Sequence, residues 1–76
     1  MITKRNYDVL VSLIGLVAKT RRHPTLHRIA TAAGISHVAV RYNLLALQRA
    51  GLVEYMPGQC RGTRILRLPD LSEVAT

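Results

Sequence analysis

Apolar residues near the N-terminus recur with the period of an α-helix. They lie at positions i, i+3, i+4 and i+7, which share one helical face, and they are Leu10, Leu13, Ile14 and Val17. The pattern predicts a helix over residues 4–19, with Thr3 as its N-cap. Val9 and Leu16 widen the apolar stripe. The extra width either adds contacts with the core or forms a strip for self-association.

Two further helices are predicted, separated by a glycine. Thr25 is a suitable N-cap for a helix ending at Ala33, and Gly34 ends it because glycine adopts the left-handed conformation without strain. A third helix, with its caps, covers residues 36–50 and stops at Gly51. Its core-facing positions recur at helical spacing and are Val40, Leu44 and Leu47.

The C-terminal third of the chain predicts a β-hairpin. Residues 52–56 and 64–68 are mostly β-branched or apolar, and a turn-rich segment at 57–63 separates them. Pro69 ends the second strand, and residues 70–76 form either a tail or one extra helical turn. We therefore predict a mainly α fold with a small β-hairpin, as one domain over residues 1–69 followed by a C-terminal tail at 70–76.

Chain length and composition exclude several classes of protein. The chain has 76 residues, which is one small domain with little room for both a core and an enzyme's enclosed pocket. It contains no paired carboxylates, no nucleophile with a base and no phosphate loop, so we predict no enzyme, no catalytic residue and no cofactor. No apolar run approaches the ~20 residues of a membrane span, and the single cysteine, Cys60, cannot form an internal disulfide. We expect a cytoplasmic protein with no membrane partner.

Charge is concentrated in the middle of the chain. The net charge is +7, and no acid lies between Asp8 and Glu54. That stretch holds nine basic or titratable nitrogen side chains, namely Lys19, Arg21, Arg22, His23, His27, Arg28, His37, Arg41 and Arg49. Such a concentration is typical of a protein that binds a polyanion, and the alternative is a basic solvated surface. The three histidines lack the spacing of metal ligands, so we predict no metal site.

Ala30, Gly34 and Val40 form the pattern of a helix-turn-helix. Two helices that cross closely need a small residue at the crossing, a glycine at the turn, and a branched apolar residue to anchor the second helix. The surrounding segment, HPTLHRIATAAGISHVAVRYNLLALQRAGLVEY, and the following MPGQCRGTRILRL resemble the N-terminal DNA-binding domain of LexA repressors. The resemblance covers residues 3–68 and implies a winged helix-turn-helix, with three helices and a two-stranded wing.

Two departures from the LexA pattern limit what the resemblance implies. The turn between the helices is one residue shorter than in some LexA proteins, and the sequence contains no match to the self-cleaving protease domain. Cleavage in response to DNA damage is therefore not implied for this chain. Its small size and starting Met1 favour a complete regulator of phage or plasmid type.

The third helix is predicted to read DNA bases with the face opposite its core stripe. At 100° per residue, that face carries Val38, Tyr42, Leu45 and Arg49, with Ala39 and Arg41 on its shoulders. Arg41 can pair with guanine in the major groove, whereas the apolar Leu45 indicates either a partner contact or simple exposure. The LexA resemblance implies that the base-reading residues are Ser36, Val38, Ala39, Arg41 and Tyr42. We add His37, because its imidazole lies near the start of the helix and can donate a hydrogen bond to a phosphate or a base.

Phosphate contacts are predicted around the second helix and in the wing. Backbone amides at the N-terminus of a helix bind anions, and basic side chains nearby add charge. The predicted backbone-binding residues are Arg21, Arg22, Thr25, His27, Arg28 and Arg49. The predicted wing residues, which reach a phosphate or the minor groove, are Gln59, Arg61, Thr63 and Arg64. The alternative for the wing is a solvated hairpin.

These observations together predict a sequence-specific regulator of transcription that binds double-stranded DNA; the LexA resemblance implies a repressor, whereas the residues leave activator and repressor open. Its recognition helix, residues 36–50, enters the major groove, and its wing, residues 57–63, lies on the backbone or minor groove. A single module buries only about 600–1,000 Å² on DNA, so we expect a homodimer on inverted half-sites. No small-molecule effector is evident. The alternatives are a protein-docking winged-helix module and a DNA-processing accessory protein of a phage or plasmid.

Overall fold

The three predicted helices and the hairpin are all present in the structure, a computed structural model that describes residues 2–22, 24–56 and 63–74. The helices are α1 (Lys4–Thr20), α2 (Leu26–Ala33) and α3 (His37–Arg49). They are followed by strands β1 (Val53–Tyr55) and β2 (Thr63–Ile65) and by a 3₁₀ turn at Leu71–Glu73. The predicted winged helix-turn-helix, with three helices and a two-stranded hairpin, is confirmed. None of the helices described is long and apolar enough to cross a membrane.

Hydroxyl side chains begin all three helices, as predicted. The Oγ1 of Thr3 accepts a hydrogen bond from the Asn6 amide at 3.1 Å, and the Asn6 side chain accepts one from the Thr3 amide at 2.9 Å. Thr25 caps α2 and Ser36 caps α3 in the same way, each accepting from the amide three residues later. These bonds satisfy amides that have no partner inside the helix, so the start of each helix is set locally.

Glycines in the left-handed conformation end α2 and follow α3. Gly34 has φ of 70° and Gly51 has φ of 77°. After α3, the Gly51 amide donates to the Gln48 carbonyl and the Leu52 amide donates to the Leu47 carbonyl, each at 3.0 Å. This is the hydrogen-bond pattern of a Schellman motif, which satisfies the last carbonyls of the helix and turns the chain toward β1.

The core lies where α1, α2, α3 and β1 meet. Each pair of helices is in contact, and α3 also packs against β1. The enclosed apolar side chains come from every one of these elements and are Ile2, Val9, Leu10, Leu13, Ile29, Ala30, Val40, Leu44, Leu47, Leu52, Val53 and Tyr55. Val9 is buried and Leu16 packs partly buried against the core. Of the two interpretations of the wide stripe on α1, the structure therefore shows core contact.

The hairpin is shorter than predicted, and its second strand is displaced. Residue 53 pairs with 65, 54 with 64 and 55 with 63, in antiparallel register. The predicted strand at 64–68 is wrong beyond Ile65, because the amides of Leu66 and Arg67 both donate to the Leu52 carbonyl and the ladder ends there. The other strand cannot continue the pairing, since Gly51 before it belongs to the turn after α3. Thr63, predicted in the turn, lies in β2.

The C-terminal segment returns to the start of α1. Of the two alternatives for residues 70–76, an extra helical turn is present at 71–73. Val74 forms a parallel bridge with Ile2, whose amide donates to the Glu73 carbonyl at 2.8 Å. The Arg67 guanidinium donates to both carboxylate oxygens of Glu73, at 2.9 Å each, and to the Ala50 carbonyl at 3.2 Å. The division of the chain at residue 69 stays a prediction.

Candidate nucleic-acid interface

One face of α3 is turned away from the core. Val38 is 56% exposed and Tyr42 is 70% exposed. Arg41 is also exposed, whereas Val40 and Leu44 on the opposite side are fully buried. The face therefore presents an apolar, a cationic and an aromatic side chain together to the surroundings.

The remaining predicted base-reading residues lie in the first turn of α3. Ser36 and His37 are exposed and Ala39 is half-buried. The Ser36 hydroxyl oxygen already accepts the Ala39 amide at 3.1 Å as the helix cap. The roles of these residues toward bases stay predictions, but the structure brings all of them to one end of α3.

Leu45 does not lie on the outward face, and its placement there is corrected. It is partly buried and packs against the core. The reason is that α3 contacts α1, α2 and β1 at once, so its apolar side is wider than the stripe of Val40, Leu44 and Leu47. The partner contact suggested for Leu45 is therefore unnecessary, since the core explains its apolar character.

The predicted phosphate-binding residues surround the start of α2. His27 and Arg28 are exposed in its first turn, and Thr25 is half-buried because its side chain caps the helix through the Arg28 amide. Arg21 and Arg22, in the connection before α2, are exposed as well. Arg49 lies apart from these residues and is exposed at the C-terminal end of α3.

A histidine pair joins the two helices of the helix-turn-helix. The Nδ1 of His27 lies 3.3 Å from the Nε2 of His37, and the rings meet edge to face with centroids 5.4 Å apart. Which of the two nitrogens donates depends on the tautomers of the rings. Among residues 2–22, 24–56 and 63–74, no group of three or more potential ligands could hold a metal ion. The pair thus links a predicted phosphate contact to a predicted base-reading residue.

The structure corrects one wing residue and describes another. Thr63 is only 2% exposed and lies in β2, so its side chain has no surface to offer to DNA. Arg64 is exposed, and its Nη2 lies 3.4 Å from the Oε2 of Glu54 across the hairpin. The predicted contacts of Gln59 and Arg61 fall outside the described residues, as does Cys60.

Acidic side chains neutralise cations away from this face. Glu54 pairs with Arg64, and Glu73 pairs with Arg67. The hydrogen bond from Arg67, aided by the Asp70 amide, lowers the pKa of Glu73 to about 2. Within the described part of the chain, Arg28, Arg41 and Arg49 form no ion pair, and no acid lies in the first turn of α1, α2 or α3. No acidic side chain in the first turn of α2 or α3 therefore competes with an anion for the positive end of the helix.

Comparison with known families decides the assignment of this fold. The sequence profile of a family described as the LexA DNA binding domain matches residues 1–62. The chain belongs to this family. The resemblance to the LexA domain predicted from the helix-turn-helix and wing motifs is confirmed.

The LexA relatives are longer proteins. The chain is 42% identical over 53 residues to the LexA repressor of Stenotrophomonas maltophilia (strain R551-3), which covers 68% of this chain and 25% of the relative. It is 34% identical over 76 residues to the LexA repressor of Shewanella frigidimarina (strain NCIMB 400), an alignment that covers 99% of this chain and 36% of the relative. It is 35% identical over 81 residues to the LexA repressor of Methylococcus capsulatus, which covers 97% of this chain and 40% of the relative. The chain thus spans between a quarter and two fifths of these relatives' length.

Two polar pairs of this LexA-type domain were not predicted from the sequence. One is the contact between His27 and His37, and the other is a buried hydrogen bond between the side chains of Asn6 and Asn43. No pattern in the sequence indicates either pair, because the residues of each pair belong to different helices.

Proposed function

We propose that the chain is a sequence-specific, double-stranded DNA-binding regulator of transcription that places α3 in the major groove. The observation that carries the proposal is the outward face of α3, where Val38, Arg41 and Tyr42 are exposed together. An α-helix with side chains is about 10–12 Å across and the major groove is about 12 Å wide, so one helix face fills it. Repression is favoured because the relatives named above are repressors.

The side chains on this face suit base recognition by different means. Arg41 can donate two parallel hydrogen bonds to guanine O6 and N7, a pattern that no other base offers. Val38 can contact a thymine methyl group, and the Tyr42 hydroxyl can reach a phosphate or a base edge. Specificity in this proposal comes from Arg41 first, because a bidentate pair discriminates by about 1–3 kcal/mol.

Phosphate binding at the start of α2 would fix the position of α3 on the duplex. The first amides of α2 and the exposed side chains of His27 and Arg28 lie together there, with no acid in the helix's first turn. Contacts of this kind hold the protein in register without reading sequence. The segment before β2, residues 57–62, is proposed to lie on the backbone or in the minor groove.

A homodimer on two half-sites follows from the size of the domain. The protein has a mass of 8.4 kDa, and one module of this kind buries about 600–1,000 Å² on DNA. Two copies related by a two-fold axis would read an inverted repeat and double the contact area.

One observation favours a second candidate, a protein-docking module. The exposed Val38 and Tyr42 could equally form the centre of a protein interface, where aromatic residues are enriched. The unpaired cations beside them would then require an acidic partner. A DNA-processing accessory role uses the same DNA-binding chemistry and differs only in the site that the DNA carries.

The experiment is selection of bound duplexes from a random library at physiological salt, followed by affinity measurements on two variants. Arg28→Ala, which removes a predicted phosphate contact, should reduce the slope of log K against log salt by about 1, whereas Arg41→Ala, which removes a predicted base contact, should change the slope less. We expect Arg41→Ala to reduce the preference for the selected duplex about 5- to 150-fold. Arg28→Ala should weaken selected and random duplexes equally.

Three outcomes would contradict parts of this proposal. Equal losses on both duplexes for both variants would refute the assigned roles. Retention of DNA without enrichment of any sequence would show non-specific binding. If no DNA is retained at all, the protein-docking module becomes the better explanation.

A further inference from the structure

A buried polar contact joins α1 directly to the recognition helix. The Nδ2 of Asn6 donates to the Oδ1 of Asn43 at 2.7 Å, across 37 positions of sequence. Asn6 is 9% exposed and Asn43 is 7% exposed. Among the described residues these are the only buried side-chain amides, and every other enclosed contact between α1 and α3 is apolar.

Both asparagines are held at their other ends. The Oδ1 of Asn6 accepts the Thr3 amide at 2.9 Å as part of the α1 cap. The Nδ2 of Asn43 donates to the Ala39 carbonyl at 2.7 Å, one turn earlier in α3. Three consecutive hydrogen bonds therefore connect the Thr3 backbone amide, at the cap of α1, to the Ala39 backbone carbonyl in α3. Turning either amide over would face oxygen with oxygen or nitrogen with nitrogen, so each orientation is fixed.

A directional contact constrains a helix in a way that apolar packing does not. Leu44 and Leu47 gain free energy from burial whether α3 is rotated by a few degrees or not, because the hydrophobic effect has no direction. The bond between Asn6 and Asn43 holds only over a narrow range of distance and angle, and its loss leaves a buried polar atom without a partner. The bond from Asn6 to Asn43 is therefore a directional restraint on the rotation of α3.

This restraint acts on the outward face because Asn43 directly follows Arg41 and Tyr42 in sequence. A rotation that moves Asn43 away from Asn6 moves Arg41 by a similar angle on the other side of the helix. Base contacts depend on donor and acceptor positions to within tenths of an ångström, whereas phosphate contacts tolerate more displacement.

We propose that Asn6 is a positioning residue for base recognition, which holds α3 through Asn43 at the rotation where its outward face meets the base edges. Asn6 acts on specificity without contacting DNA. The inference rests on the proposed function, that α3 reads sequence in the major groove.

The test measures the ratio of dissociation constants for a random and a selected duplex, first in the unaltered protein and then in Asn6→Ala. We expect the ratio to fall about tenfold, comparable to the loss of one base contact, with affinity for random DNA nearly unchanged. Asn43→Ala and the double variant should lower the ratio no further than Asn6→Ala does, because the two residues act as one contact.

A destabilised control separates positioning from stability. Ile29→Val removes one buried methylene and disturbs no hydrogen bond, since Ile29 is 0% exposed in the core. Reduced stability lowers the folded fraction and raises both dissociation constants by the same factor, so it leaves the ratio unchanged. If Asn6→Ala fails to fold, it is measured on a Gly15→Ala background, because Gly15 lies in an exposed part of α1 with no atom within 4 Å of an added methyl.

The outcomes distinguish failure of the inference about Asn6 from failure of the proposed function. A ratio that falls in Asn6→Ala but not in Ile29→Val supports the inference. An unchanged ratio in folded Asn6→Ala overturns it, while the proposed function stands on the preference of the unaltered protein. If the unaltered protein shows no preference between duplexes, the proposed function and this inference fail together.

Discussion

The turn of the helix-turn-helix provides a direct test of the backbone argument through Gly34→Ala. Gly34 has φ of 70°, and a methyl group added there meets no atom within 4 Å. The cost of the substitution is therefore conformational rather than steric. Gly15, in the exposed part of α1, also has no atom within 4 Å of an added methyl but has helical backbone angles. The same chemical change can thus be made in two opposite conformations.

The two substitutions should change stability in opposite directions. A non-glycine residue in the left-handed region costs about 1–2 kcal/mol, offset by about 0.4–1 kcal/mol from the reduced freedom of the unfolded chain. Gly34→Ala should therefore lower the free energy of unfolding by about 1 kcal/mol. Gly15→Ala should raise it by about 0.8–1 kcal/mol from helix propensity.

Thermal and urea unfolding followed by circular dichroism measure both effects. For a domain of this size, 1 kcal/mol corresponds to roughly 4–8 °C in Tm, so the two variants should melt about 10 °C apart. Gly34→Ala with unchanged or higher stability would refute the need for a left-handed residue in this turn. A loss above about 3 kcal/mol would show a steric clash, which the open space around Gly34 excludes.

Two further substitutions test the ion pair at the C-terminal segment and the end of α1. The lowered pKa of Glu73, about 2 against an ordinary 4.5, means that its pair with Arg67 stabilises the fold above about pH 4.5 and is lost as the pH falls toward 2. Glu73→Gln should therefore be less stable than the unaltered protein at pH 6 in urea titrations, and the difference should shrink as the pH falls from 4.5 toward 2. A difference that stays the same over that range would contradict the assignment. Arg21 has φ of 56°, so Arg21→Gly should relieve backbone strain and raise the free energy of unfolding by about 1 kcal/mol. The same substitution removes a predicted phosphate contact and should weaken binding to every duplex. An unchanged midpoint in urea would contradict the strain.

Local signals in the sequence were sufficient to predict the helices. The caps at Thr3, Thr25 and Ser36 and the stop at Gly34 depend on hydrogen bonds and backbone angles within a few residues. Their physical causes are therefore contained in the segments themselves. This is why helix positions agreed with the structure to within a residue.

Features that depend on distant residues were predicted less well. The end of β2 is set by the Leu52 carbonyl, which lies on the other side of the hairpin and captures the amides of residues 66 and 67. Leu45 was placed outward because a helical wheel assumes one packing direction, whereas α3 is packed from several sides. A single sequence carries no measure of either effect.

In the candidate interface, too, features with local causes were predictable and features with distant causes were not. Exposure of Val38, Arg41 and Tyr42 follows from helical period once the core stripe is known. The bond between Asn6 and Asn43 does not, because pairing across 37 positions leaves no periodic trace in the chain. Thr63 is the last residue of the turn-rich segment, and only its pairing with Tyr55 across the hairpin shows that it belongs to β2.

The bridge between Ile2 and Val74 brings the two ends of the described chain together. In an unfolded chain, closing a loop of that length would cost about 4 kcal/mol or more of conformational entropy, far more than one backbone hydrogen bond returns. The bridge can therefore form only after the three helices have already shortened the path between the ends. We expect the bridge to form late in folding, and because Ile2 is also enclosed in the core, opening the bridge would expose apolar surface at the start of α1.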